Sequence, residues 1–126
     1  MFSQSRSIRF NCPANMKGRR FVVVTHSTQT VAYCGAGVTP HGVTVENDQL
    51  GEGIIDVYPI VNLPGSVMIE VGEAVSAGAS IASDSQGRAI NINSSTFGTT
   101  GASAIANIAA QGALTAGDIV EMYKVY

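Results

Sequence analysis

An all-β fold, a small β-sandwich or β-barrel with an extended N-terminal arm, is what this sequence predicts. Three observations carry the prediction. Small and β-branched residues dominate: Gly supplies 14 of 126 positions, Val and Ile recur throughout, and Trp is absent. Apolar residues come in short runs or in strict alternation, the patterns of buried and half-buried strands. Turn residues punctuate the chain at intervals of roughly 8–12 residues, as in sandwiches and barrels. The charged fraction is only 13% and the hydrophobic fraction 45%, which excludes a disordered acidic or basic protein. The length suits one compact domain.

Residues 1–20 are polar and irregular, with Pro13, Asn15 and Gly18 breaking any pattern. They read as an extended arm, ordered only when something holds it. Residues 21–126 read as the body. Phe21–Thr25 is a continuous apolar run and the first strand expected, and Thr30–Cys34 is the second. Gly35-Ala36-Gly37 forces a bend, and Thr39–Gly42 is a turn leading into Val43–Val45. A long strand is expected over Ile54–Val61, then a turn at Pro64-Gly65. In Ser66–Val71, Val67, Ile69 and Val71 alternate with Ser66, Met68 and Glu70, which predicts a half-buried strand.

Ser80–Ser83, the turn Asp84–Gly87 and Arg88–Ile92 predict a hairpin. Residues 93–101 are loop by composition. Ala102–Ala110 fits either a helix, by its alanines, or a small-residue strand. Asp118–Tyr126 alternates Ile119, Glu121 and Tyr123 against Val120, Met122 and Lys124, and reads as the closing strand. Ala74-Val75-Ser76-Ala77-Gly78 is echoed by Ala113-Leu114-Thr115-Ala116-Gly117. The echo reads as a favoured turn whose Gly supplies positive φ; a weak internal duplication is the alternative.

Net charge is −2, but it is unevenly spread. Residues 1–45 hold Arg6, Arg9, Lys17, Arg19 and Arg20 and no acid, whereas the rest holds all nine acids with Arg88 and Lys124. A basic arm on an acidic body can seek an acidic surface on a protein, on a second copy or on nucleic acid. The acidic body argues against nucleic acid. No apolar run reaches the roughly 18 residues of a transmembrane helix, so no membrane partner is expected. No apolar stretch of a secretory signal is seen at the start, and Cys12 and Cys34 are read as reduced thiols.

Chemistry-bearing patterns are scarce. His26 and His41 neighbour no nucleophile signature. Cys12, His26, Cys34 and His41 lack the paired spacing of a structural zinc site, so no metal or cofactor is expected. Gly35–Gly42 begins like a phosphate-binding glycine loop, but Pro40 stands where the third Gly belongs. The pairs Glu46/Asp48 and Glu70/Glu73 flank turns, where carboxylates are usually solvated. An enzyme is not expected.

Several motifs do follow one another in a familiar order: Gly37-Val38 to Gly42-Val43, Val71-Gly72-Glu73-Ala74-Val75-Ser76-Ala77-Gly78, the hairpin Ser83–Ala89, and the ending Ala116-Gly117-Asp118-Ile119-Val120-Glu121. Over residues 21–126 this order resembles the small capsid decoration, or cement, proteins of tailed bacteriophages. The resemblance implies a β-sandwich or barrel on the outer capsid surface of a virion, made in the host cytoplasm. It implies a homotrimer or homodimer that binds the major capsid protein and stabilises contacts between its subunits. That family offers no catalytic residues to carry over. The chain departs from it in its longer basic N-terminal arm and in Cys34.

An extended arm can dock by adding a strand or by lying in a groove, and basic groups steer it to an acidic capsid. Arg6, Ile8, Arg9, Phe10, Lys17, Arg19 and Arg20 are therefore the expected capsid-binding residues. Two other readings remain open. A head-fibre or receptor- and glycan-binding β-module would need exposed aromatics, which the absence of Trp disfavours. A carrier barrel would need a Lys at a hairpin tip, where Pro64-Gly65 and Ser85-Gln86-Gly87 stand instead.

Overall fold

Alternating apolar residues become strands when both strand edges find partners, and here five strands close into a barrel and five form a sheet. The computed structural model describes residues 7–13, 16–45, 53–59, 66–92, 106–108 and 115–123. Among these residues there are ten strands and no helix, as the composition predicts. β1 (Ile8–Asn11), β2 (Phe21–Thr25), β3 (Thr30–Tyr33), β4 (Gly42–Thr44) and β5 (Ile54–Pro59) form a closed barrel in the order β1-β3-β2-β4-β5. β6 (Ser66–Glu70), β7 (Ser80–Ser83), β8 (Ala89–Asn91), β9 (Ala106–Ile108) and β10 (Ile119–Tyr123) form a sheet in the order β6-β10-β9-β7-β8. An isolated parallel bridge, Val71 to Ala89, links the two ends of that sheet.

The two units are built alike. In each, the first strand lies antiparallel to the fifth and meets the third in parallel. The registers agree as well. Ile8 faces Val57 and Phe10 faces Ile55, as Val67 faces Met122 and Ile69 faces Val120. Val24 faces Val31 as Ser83 faces Ala89. Phe21 faces Val43 as Ser80 faces Asn107, and Val43 faces Tyr58 as Asn107 faces Tyr123. The core positions match in turn: Phe10 with Ile69, Met16 with Val75, Val22 with Ile81, Val31 with Ala89, Ile55 with Val120 and Val57 with Met122 are all buried.

Backbone conformation repeats too. Arg19 and Gly78, and Gln29 and Gly87, occupy equivalent places, all with positive φ, and Gly53 and Gly117, also at positive φ, stand one register place apart. The β2–β3 and β7–β8 turns are closed by the same bond, Gln29 N–H to His26 C=O (3.3 Å) and Gly87 N–H to Asp84 C=O (3.2 Å). Residues 7–59 and 66–123 are thus two versions of one five-stranded unit. The echo of residues 74–78 in 113–117 is not the register of this repeat, because the first precedes β7 and the second β10. It is the turn reading that fits: Gly78 and Gly117 both have positive φ.

The expected division into a 1–20 arm and a 21–126 body is corrected by β1. Ile8–Asn11 is a wall of the first barrel, paired along its length with β5, and Met16 is buried in its core. A short alternation, Ile8 and Phe10 against Arg9 and Asn11, suffices because β5 offers a complementary edge. β1 meets β3 only at Asn11–Thr30. The next N–H on that side would belong to residue 13, a proline, which has none.

The interior of the first unit is Phe10, Met16, Val22, Val31, Ile55 and Val57. That of the second is Val67, Ile69, Val71, Val75, Ile81, Ala89, Val120 and Met122, completed by Phe21, Cys34 and Val43 from the first. One unit therefore finishes the other's core. Residues 106–108 resolve the 102–110 ambiguity as strand over that span. The Pro64-Gly65 turn, the 93–101 loop and the ends of the 54–61 and 118–126 strands lie outside the described residues.

Candidate docking surface

The seven residues expected to form a docking arm are dispersed. Arg6 lies outside the described residues. Ile8 is 51% exposed at the start of β1. Arg9 points outward and pairs with Asp56 (Nε to Oδ1, 3.0 Å). Phe10 is in the barrel core. Lys17 is exposed, and its backbone N–H donates to the Tyr33 hydroxyl (2.9 Å). Arg19 is half-buried at a positive φ, its N–H shared between the carbonyls of Thr44 (3.1 Å) and Val45 (3.2 Å). Arg20 is 5% exposed. Only Ile8, Arg9 and Lys17 of the described six stand at the surface.

Arg19 and Arg20 are brought together, but at the junction of the two units. In the first unit, Asn11 N–H closes the seam directly on Gln29 C=O (2.8 Å). The equivalent groups of the second unit, Glu70 N–H and Gly87 C=O, do not meet each other. The Arg19–Phe21 segment lies between them: Glu70 N–H donates to Arg19 C=O (2.9 Å) and Phe21 N–H to Gly87 C=O (2.7 Å). The Arg20 guanidinium spans the seam, Nη1 to Gln86 C=O (3.0 Å) and Nη2 to Glu70 Oε1 (3.1 Å), and lies 5.3 Å from the Tyr33 ring centroid. Its backbone N–H donates to Thr44 Oγ1 (3.0 Å). The hairpin beneath is fixed by Asp84, whose Oδ1 accepts from Gln86 N–H and Arg88 N–H (both 2.8 Å) and whose Oδ2 meets Arg88 Nε (2.9 Å). A strand-adding basic segment is present, then, but it docks on the chain's own second half.

The histidines serve an edge. β4 begins only at Gly42, so Val24 N–H on β2 has no strand partner on that side; His41 Nδ1 accepts it instead (2.8 Å). The His26 ring lies 6.4 Å from that of His41. Burial pushes the Cys34 thiol above its ordinary pKa, against smaller opposing hydrogen bonds from Ser83 and Gly35, and burial raises Cys12 too. Among the described residues no three His, Cys, Asp or Glu side chains gather.

Ile8, Val38, Ile119 and Tyr123 are the large hydrophobic residues exposed among those described. Ile119, Glu121 and Tyr123 form the outward row of β10, beside half-buried Met68 on β6. The alternation of 118–126 displayed this row; which side faced out was not written in it.

The architecture defines a class, a chain of two five-stranded units joined through a strand-inserting clamp. Among solved structures, the chain is similar in fold to the crystal structure of head fiber gp8.5 N base in bacteriophage phi29, with a TM-score of 0.68, 13% identity, and coverage of 94% of this chain and 92% of that one. At that identity the likeness is one of fold. No protein-family model matches the chain, and none of the curated proteins compared does.

Proposed function

We propose that this chain is a non-enzymatic structural protein of a phage head. It binds the major capsid protein on the outer surface and stabilises contacts between capsid subunits, as a homotrimer or homodimer. The observation that carries this is the end-to-end fold likeness to the head fiber gp8.5 N base. The physical arrangement agrees with a passive role. Arg9 and Arg20 are engaged within the chain, so adhesion falls to rigid β surfaces and their exposed Ile8, Val38, Ile119 and Tyr123. The strands that carry these side chains are already ordered by their ladders, which keeps the entropic cost of docking through them low.

A second reading, the base of a head fibre, is favoured by what the structural neighbour is. Both readings are tested by mixing the purified protein with bare phage heads and sedimenting them at physiological salt. Co-sedimentation is expected, and its absence overturns both. Heads with and without the protein then separate the two. A cement raises the temperature at which heads release DNA, whereas a fibre base leaves it unchanged and adds a projection visible by electron microscopy.

A further inference from the structure

Residues 21–45 contain no Asp, Glu, Lys or Arg; their titratable side chains are His26, Tyr33, Cys34 and His41. The two imidazoles of this stretch meet, their ring centroids 6.4 Å apart and their planes 24° from parallel. On the β4 side of β2 the backbone ladder stops where His41 N–H donates to Val22 C=O (2.9 Å). Pro40 comes before it and has no N–H to add a rung. The next donor on β2, Val24 N–H, is taken by the ring itself, at His41 Nδ1 (2.8 Å). An imidazole nitrogen accepts only when it carries no proton, so this bond requires the neutral ring with its proton on Nε2. The second unit closes the equivalent edge in another way. Ser83 on β7 stands where Val24 stands on β2, and its C=O accepts from the backbone N–H of Gly37 (3.0 Å). A backbone amide does not change charge with pH; a histidine does.

We propose that His41 is a proton-operated latch on β2: neutral, it closes the edge at Val24, and protonated, it lets go. In the charged ring Nδ1 is a donor aimed at another donor 2.8 Å away. The surroundings offer that charge nothing to hold it in place. His26 faces it from the end of β2, and β3 with the bend after it brings Tyr33 and Cys34. Beyond β4, β5 brings Tyr58 and Asp56, and Asp56 is engaged by Arg9. Among the described residues neither histidine takes part in an ion pair. A proton on His26 as well would set two like charges on neighbouring rings, which opposes the closed arrangement further. His41 is exposed, so solvent delivers the proton directly. What acid uncovers is a backbone donor on a strand edge, the feature that templates the addition of a further strand.

The test is nuclear magnetic resonance on the isotope-labelled full chain and on two variants. His41→Asn sets an amide oxygen where Nδ1 stands, so it caps Val24 without titrating, and His41→Ala removes the cap. At about pH 8 a long-range proton–nitrogen correlation is expected to find the His41 proton on Nε2. Hydrogen exchange at the Val24 amide, corrected for its intrinsic pH dependence, is expected to quicken about fivefold in the parent protein between about pH 8 and about pH 5. It is expected to stay slow in His41→Asn and fast in His41→Ala at both values, while the amides of β6 and β10 keep their protection throughout. A proton on Nδ1 at the higher pH overturns the proposal. So does a Val24 amide equally protected at both values in the parent, or one that loses as much protection in His41→Asn. Phage heads are absent from the experiment, so its failure is distinct from failure to bind them.

Discussion

A methyl group added to Gly87 would lie 2.4 Å from the Phe21 carbonyl oxygen, at a φ of +76. The same change at Gly78, φ +78, meets open space. The pair separates backbone strain from collision. Gly78→Ala is expected to cost about 1 kcal/mol, the left-handed penalty of a residue with a Cβ. Gly87→Ala is expected to cost at least about 2 kcal/mol more, because Phe21 is held on both sides of the junction. Urea unfolding of both variants measures this, and equal losses would mean that the Gly87–Phe21 approach is slack. Cys34 gives a second expectation at this scale. The unfolded thiol loses its proton near its ordinary pKa of about 8.5, while the buried one keeps it to higher pH. Between those values the unfolded chain binds fewer protons, so stability falls as pH rises. It is fully present below the unfolded thiol's pKa and lost as pH rises through the folded one. The urea midpoint should drop from pH 8 to 10, and Cys34→Ala should flatten the drop.

Among the elements, strands with three or more apolar residues in alternation or in a run were legible: β2, β6 and β10 follow from Phe21–Thr25, Val67–Val71 and Ile119–Tyr123. β1 was not, since two apolar residues among serines and arginines match a loop as well as a strand. Nor was the burial of Arg20, because its partner Glu70 is remote in sequence and a basic pair reads as solvated. The clamp is the element-scale consequence. Arg20→Met leaves the largely buried Glu70 carboxylate without its cation, and a loss of about 3 kcal/mol is expected. Glu70→Leu leaves the guanidinium without its carboxylate instead. Removing both leaves no lone charge, so the double variant should be no less stable than Arg20→Met alone. Chemical denaturation of the three variants decides it; simple additivity would show that the two groups are not coupled.

At the scale of the whole molecule, the repeat was hidden because equivalent core positions stay apolar but lose identity, and outside that core even polarity changes. Met16 answers to Val75, Phe10 to Ile69, and Arg19 to Gly78. Period-2 alternation survives such exchange, whereas similarity of letters does not. The same repeat reverses the expectation for the N-terminus. An arm could be removed without harm to a body that begins at residue 21. A first strand cannot: deleting residues 1–20 removes the ladder to β5, the core side chains Phe10 and Met16, and the Arg20 clamp together. β5 would be left with an open edge and the barrel with a gap along one wall. Damage should also reach the second unit, whose core is completed by Phe21, Cys34 and Val43. The truncated chain is therefore expected to lose its cooperative thermal transition in circular dichroism, and near-ultraviolet signal from both units with it. A truncated chain that melts at the temperature of the full protein would remove β1 from the barrel, and with it the equivalence on which the two-unit description stands.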